Sequence, residues 1–281
     1  MRSILLDSDV VGNIPQNDGL FRPIRIVAPK GCIANPIFPA PTIARFAPGN
    51  VVADTLMKAL ATAVPEKVCA GVANLKAITF TGFKGEQQWV HIEIFEGSYG
   101  GRHSKDGMDS VDTLYANTRN NPIEDIESHV PLRVTRYEFR ENACGAGMWR
   151  GGWNSVKEME FLTDGSLSVE GDGHAHAPWG FAGGSQGHPS SLDLVRGGKA
   201  VSALPSMLPT ITVTKGDRVR ATGGIGGGYG DPKQRAPERV LDDVLDGYLT
   251  RAEAARMFSV AITADGRLDM SVTRRMRRNG R

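Results

Sequence analysis

Titratable and cationic side chains crowd one stretch of the chain. His91, Glu93 and Glu96 alternate along a strand-like run, and Arg102, His103, Lys105 and Asp106 follow within ten residues, just past Gly97, Gly100 and Gly101. Groups of this kind at and beyond a strand end can shuttle protons or orient a charged ligand. The same composition also fits a hairpin whose polar face is merely solvated. Downstream, Asn117-Thr118-Arg119-Asn120-Asn121-Pro122 is dense in donors and acceptors, suited to orienting a polar ligand and equally at home capping turns. His174 and His176, two apart beside Asp172, would share a face of an extended segment, yet a metal needs three or four ligands and no further partner has suitable spacing. A loop-surface reading of this pair competes with the metal one. No Ser-His-Asp order and no G-x-S-x-G elbow is present, and Cys144, between Ala143 and Gly145, has no activating neighbour.

Six glycines fall between Gly223 and Gly230, ahead of a helix-like segment, Glu238–Met257. A phosphate loop would need Lys-Ser/Thr at its end, but the first lysine, Lys233, stands behind Asp231 and Pro232. A dinucleotide fingerprint would need a βαβ unit, and none follows. The run is expected to let the backbone turn tightly and pack before the final helix.

The elements that must position these groups are short and mostly strand-like. Turn chemistry dominates Asn13–Gly19, with a short strand-like Pro23–Val27 behind it. Helical spacing marks Val51–Val64, with Asn50 as a candidate cap and Pro65 as the stop. Alternation predicts strands within Ile78–Glu96, with Val90, Ile92 and Ile94 on the face opposite His91, Glu93 and Phe95. Further strands are predicted over Leu132–Arg140, Ser155–Leu162, Ser166–Glu170, Ser191–Val195, Ile211–Val213 and Arg218–Ala221, with Asp164-Gly165 as a hairpin turn. The fold class read from this pattern is α+β, β-rich with mixed or antiparallel sheets and a C-terminal helix. The basic end, Arg274–Arg278, reads as a frayed tail.

Composition narrows the field. A net charge of +2 over 281 residues gives no case for nucleic acid or an anionic membrane. Three scattered cysteines exclude a disulfide framework and fit a reducing, cytoplasmic setting. The opening apolar run is too short for a signal peptide, and no segment is long enough to span a bilayer.

An ordered set of short motifs resembles the hydantoinase B/oxoprolinase family. They are Asn13–Ile24, Pro29-Lys30-Gly31 with Asn35-Pro36, Gly100-Gly101-Arg102 with Asp106–Asp109, Asn117–Glu124, and Pro131–Val134. Gly145–Gly147 with Arg150–Gly152, Pro178–Gly184, Gly226–Pro232 and Glu238–Gly247 complete the set. The resemblance implies an ATP-dependent complex acting on cyclic amides, in which a hydantoinase A-like, ATP-binding partner phosphorylates the substrate oxygen. The B-type part then completes ring hydrolysis. The alternatives it leaves open are a subunit of an acetone or acetophenone carboxylase, a non-catalytic half-subunit that shapes a partner's site, and an inactive remnant. Family B-type chains are about twice this long, and their metal ligands lie in a G-G-T-H-x-x-D-like segment that is absent here. The chain therefore looks like a C-terminal half over residues 1–262, followed by a basic, flexible tail at 263–281, and a further chain is expected to carry the N-terminal half. No cofactor or metal ligand is carried over to this chain; ATP and a divalent metal are implied in its partners. By analogy Gly100–Asn121 lines the cleft, with Arg102 and Asp106 orienting an anionic or phosphorylated intermediate and Asn117 and Asn121 beside them.

Overall fold

A computed structural model describes residues 17–20, 22, 24–115 and 118–279. Most of the turn expected at 13–19, and Asn117 of the candidate site, lie outside the described residues. Two antiparallel sheets form the body. One has the order β2-β1-β5-β8, from β1 (Lys76–Lys84), β2 (Gln87–Phe95), β5 (Gly165–Gly171) and β8 (Met207–Val213). The other runs β3-β4-β9-β6-β7, from β3 (Leu132–Phe139), β4 (Ser155–Phe161), β6 (Ser191–Arg196), β7 (Lys199–Ala203) and β9 (Arg218–Thr222). Ile78, Phe80 and Trp89 of the first sheet share one buried cluster with Leu132, Met159, Phe161 and Leu194 of the second, so the sheets pack face to face. The α+β class holds.

Several local expectations change. Asp164-Gly165 is not a hairpin turn: β4 pairs with β3 and β9, whereas β5 pairs with β1 and β8, so the chain crosses between sheets there. The cause is close approach, since a Cβ on Gly165 would lie 2.4 Å from the Thr81 carbonyl of β1. Residues 24–29 form no strand. On β2 the faces are reversed from what hydrophobicity suggests. Trp89, Glu93 and Phe95 are buried, while Val90 and Ile92 are exposed.

Among the described residues there are five α-helices. Helix α1 (Phe46–Leu60) starts earlier than expected, so Asn50 is an interior residue and not a cap; its Oδ1 accepts from the Tyr115 amide at 2.8 Å. Helix α2 (Ile123–His129) buries Ile126 in the sandwich. The segment expected as a single helix over 238–257 is two, α3 (Pro237–Leu245) and α4 (Arg251–Phe258). Gly247, at φ +81°, stops the first, and the reciprocal Thr250–Glu253 capping box starts the second. The expected frayed tail contains helix α5 (Met270–Asn279). It is held because Thr273 is buried and Arg277 donates to the Arg235 carbonyl at 2.7 Å.

The glycine run sits at the centre of the remaining structure, and it does not turn. Of its six glycines only Gly230 has positive φ. The others let backbones touch. Gly71 N donates to Trp179 O (2.7 Å), Gly227 N to Gly71 O (2.8 Å), Gly101 N to Gly227 O (2.8 Å) and Ala70 N to Gly101 O (2.8 Å). Three distant segments are thereby laced to the run by main-chain bonds. A Cβ on Gly227 would stand 2.0 Å from the Trp179 carbonyl, and one on Gly226 would stand 2.1 Å from that of Tyr99. Gly216 differs: it has φ +89° and open space around it. Gly216→Ala should therefore cost only about 1–2 kcal/mol of backbone strain, whereas Gly227→Ala should cost more than about 3 kcal/mol by overpacking backbone that has no room to move. Urea midpoints of the two variants check this; equal midpoints would contradict the reading.

Candidate functional site

The glycine layer presents the Arg102 loop. Gly101 is fixed on the run, and Arg102 and Lys105 then close a tight turn through mutual backbone bonds of 3.0 and 3.1 Å, with Ser104 at φ 65°. The turn edges a recess of about 400 Å³ whose lining includes Arg102, His103, Lys105 and Lys67, with Glu66 its one carboxylate among the described residues and Met57 of α1 on the apolar side. Cations converging on a partly enclosed surface favour an anionic group. Cys69 also borders the recess, but burial, with Asp54 nearby, pushes its thiol up to about 12. It is a packed, unreactive group.

Asp106 points away from that recess. Its carboxylate takes Arg235 Nη1 and Nη2 at 2.7 and 3.1 Å and the Arg150 amide at 2.8 Å. Arg235, 2% exposed, continues to Asp243 at 3.0 Å, and Arg150 bridges Asp243 and Asp109 at 3.3 and 2.9 Å. Burial opposes charge on Asp106, but the Arg235 bonds outweigh it and hold the carboxyl below its ordinary value. The network ties the Arg102 loop to α3. Asn121 is exposed and donates to Asp125 at 3.0 Å near the start of α2, whereas Asn120 reaches the Tyr137 hydroxyl at 2.7 Å. The structure thus gathers Arg102, His103 and Lys105, and separates them from Asp106 and Asn121.

The strand acids have gone inward. Glu93 meets Lys157 Nζ at 2.6 Å and His91 Nε2 at 3.1 Å inside the sandwich. Burial works against its charge, yet these partners hold it below the usual range. Hydrophobic alternation missed this because it assigns β2's apolar residues to the core, and the partner lysine lies on β4, beside Val156 and Glu158, where no local pattern marks it as buried.

A second recess of about 410 Å³ lies on the other side of α1, bordered by Asp54, Asn74, Asp172, His176, His188 and Trp179. Its wall is fixed by Trp179 Nε1 donating to Asp54 at 2.9 Å. His176 borders this recess, whereas His174 has a buried, unpartnered Nε2, and burial with Lys76 nearby lowers its pKa to about 4. Among the described residues no group of three or more His, Cys, Asp or Glu side chains could hold a metal ion, so the residues present do not fit one. The glycine run does not fit a nucleotide phosphate either, because the amides of Gly227, Gly228, Tyr229 and Gly230 are already bonded to carbonyls.

Glu96 gives a pH test of this charge arrangement. It is buried with Oε2 unpartnered, and burial together with Asp112 raises its pKa from 4.5 to about 7. With the folded-state value raised, ionisation costs stability; the cost is absent near pH 4 and complete above pH 7. Glu96→Gln should therefore stabilise the fold by on the order of 1–3 kcal/mol at pH 8 and not at pH 4. Thermal melts at the two pH values check this, and a pH-independent difference would contradict it.

The comparisons with known proteins cover nearly the whole chain. The hydantoinase B/oxoprolinase family model matches residues 2–232. The chain is 57% identical over 280 residues to the B-type component of a "Putative D-/L-hydantoinase" of Pseudomonas sp. (strain NS671), covering 99% of this chain and 47% of that protein. It is 28% identical over 276 residues to the beta component of caprolactamase from Pseudomonas jessenii, covering 92% and 47%. The crystal structure of the ATP-dependent caprolactamase from that organism shares the fold, with a TM-score of 0.79 at 24% identity over 94% of this chain and 48% of that one. Nucleotide-free acetone carboxylase matches less fully, with a TM-score of 0.60 at 20% identity over 76% and 34%. The chain spans about half the length of these two curated relatives. By the family model and the 57% relative, it belongs to the hydantoinase B/oxoprolinase family.

Proposed function

We propose that the chain works as B-type subunit material in a cytoplasmic, ATP-dependent hydrolase of cyclic amides, beside a hydantoinase A-like chain that binds ATP. Phosphoryl transfer from ATP to the amide oxygen makes the ring carbon a stronger electrophile. One water adds to that carbon and the C–N bond breaks, with its electron pair and a proton going to nitrogen, and a second water cleaves the resulting acyl phosphate to carboxylate and inorganic phosphate. ATP and any divalent metal belong, on this reading, to portions of the complex outside this chain. The carrying observation is the basic recess: Arg102, His103, Lys105 and Lys67 converge where one carboxylate, Glu66, opposes them. Arg102 meets the phosphoryl oxygens of the activated amide. Asp106 acts indirectly, holding the Arg102 loop against α3 through Arg235, and Asn121 is exposed at the end of the same polar segment. The 57% relative is named as a hydantoinase subunit and another as a caprolactamase subunit, which favours amide hydrolysis over ketone carboxylation. A non-catalytic, cleft-shaping role is the second reading, favoured by the use of Asp106 in internal pairing.

In the reconstituted complex Arg102→Ala should lower ATP-dependent turnover roughly 10- to 100-fold, the scale of a charged hydrogen bond, while leaving the melting temperature of the chain unchanged. Asp106→Ala should lower the melting temperature as well. Unchanged turnover in Arg102→Ala would support the cleft-shaping role instead.

A further inference from the structure

Residues 24–45 form neither helix nor strand, and their large apolar side chains face outward. Ile26 is 86% exposed, Ile33 85% and Phe38 94%, with Val27, Ile37 and Ile43 also exposed. On α1, the next element in the chain, Val51, Val52 and Leu56 are exposed as well. So much apolar surface in a single run marks a contact surface, since scattered exposure is ordinary but contiguous exposure is not. The arm is locally shaped. Gly31 N donates to Asn35 O at 2.9 Å and Asn35 Nδ2 to Ala28 O at 2.8 Å, which sets Ile33 on a turn, and four prolines (Pro29, Pro36, Pro39, Pro41) stiffen the rest. Stiffness lowers the entropy lost on docking. Charge adds direction: the arm carries Arg25, Lys30 and Arg45 and no acid.

We infer that this arm, with the outer side of α1, is the docking surface for the remainder of the B-type subunit, which meets it with an apolar groove rimmed by carboxylates. The inference rests on the subunit reading above. Relatives that match over nearly all of this chain are about twice as long, so each holds a second portion of comparable size. A body of that size supplies cover for the arm whether it is joined to this polypeptide or separate. A second copy of this chain would bring a like-charged arm to the same surface, which electrostatics disfavours.

The test uses the whole chain and, as probe, the portion of the Pseudomonas sp. NS671 relative outside the matched region, produced separately. Titration calorimetry without ATP should show a 1:1 complex. The triple variant Ile26→Asp/Ile33→Asp/Phe38→Asp should bind at least 100-fold more weakly, with an unchanged melting temperature because all three side chains are exposed. Charge reversal of Arg25, Lys30 and Arg45 to Glu should also weaken binding, with the difference from the unaltered chain shrinking at high salt. Equal affinity of the triple variant, no complex with the unaltered chain, or a homodimer abolished by the same variant would each overturn the inference. Arg102→Ala should bind the probe normally. A complex that depends on the arm but opens no cyclic amide would therefore overturn the activity and leave the surface standing.

Discussion

Main chain packed directly on main chain is what the rest of this molecule depends on. Around Gly226 and Gly227, segments from four parts of the sequence approach so closely that a single methyl group would stand about 2 Å from a carbonyl oxygen. Hydrogen bonds run through the layer from Trp179 to Gly71, Gly227, Gly101 and Ala70. Glycine loses more conformational entropy on folding than any other residue; here that loss is offset by bonds that satisfy buried peptide groups on both sides. The Arg102 turn is held on this layer, so the shape of the basic recess follows from it.

Charge inside the protein is handled in two ways. Arg150 and Arg235 are shared among Asp106, Asp109 and Asp243, with Arg239 also reaching Asp106, so that cations and carboxylates face one another at hydrogen-bond distance. Removing Arg235 would leave Asp106 and Asp243 each short of a charged partner in a mostly buried setting, a costly kind of change. The Glu93–Lys157 pair does the same within the sandwich. Lys76, like Glu96, is an exception. Its Nζ is fully buried without a hydrogen-bond partner beside the Phe95 ring, and burial together with Arg140 lowers its pKa to about 7.

Although the strand expected at 23–27 is absent over 24–27 and β7 was not expected, most strands and the α+β class were legible because period-2 patterns and turn residues are local signals. The pairing was not: Asp164-Gly165 has hairpin chemistry, yet the chain changes sheets there because Gly165 must pass close to β1. Burial of Glu93 was hidden for a similar reason, since its partner Lys157 is 64 residues away. The glycine run announced itself by composition, but whether it turned or packed depended on neighbours at 71, 101 and 179 that no local pattern links. Charge density beside glycine singled out Arg102, which borders the basic recess. Asp106 lay in the same density, and only the distant Arg235 and Arg150 show which way it faces. Helix α5 was missed because its basic composition resembles a solvated tail, while its anchors, Thr273 and Arg277, act across α4.

Hydrogen exchange of the layer's own amides bears most directly on this account. If the layer is the rigid centre, the amides of Gly71, Gly101 and Gly227 should exchange only through global unfolding, as slowly as Phe80 in the sandwich core. Exchange of these three amides several orders of magnitude faster than Phe80, through local opening, would contradict the claim that the site is built on them.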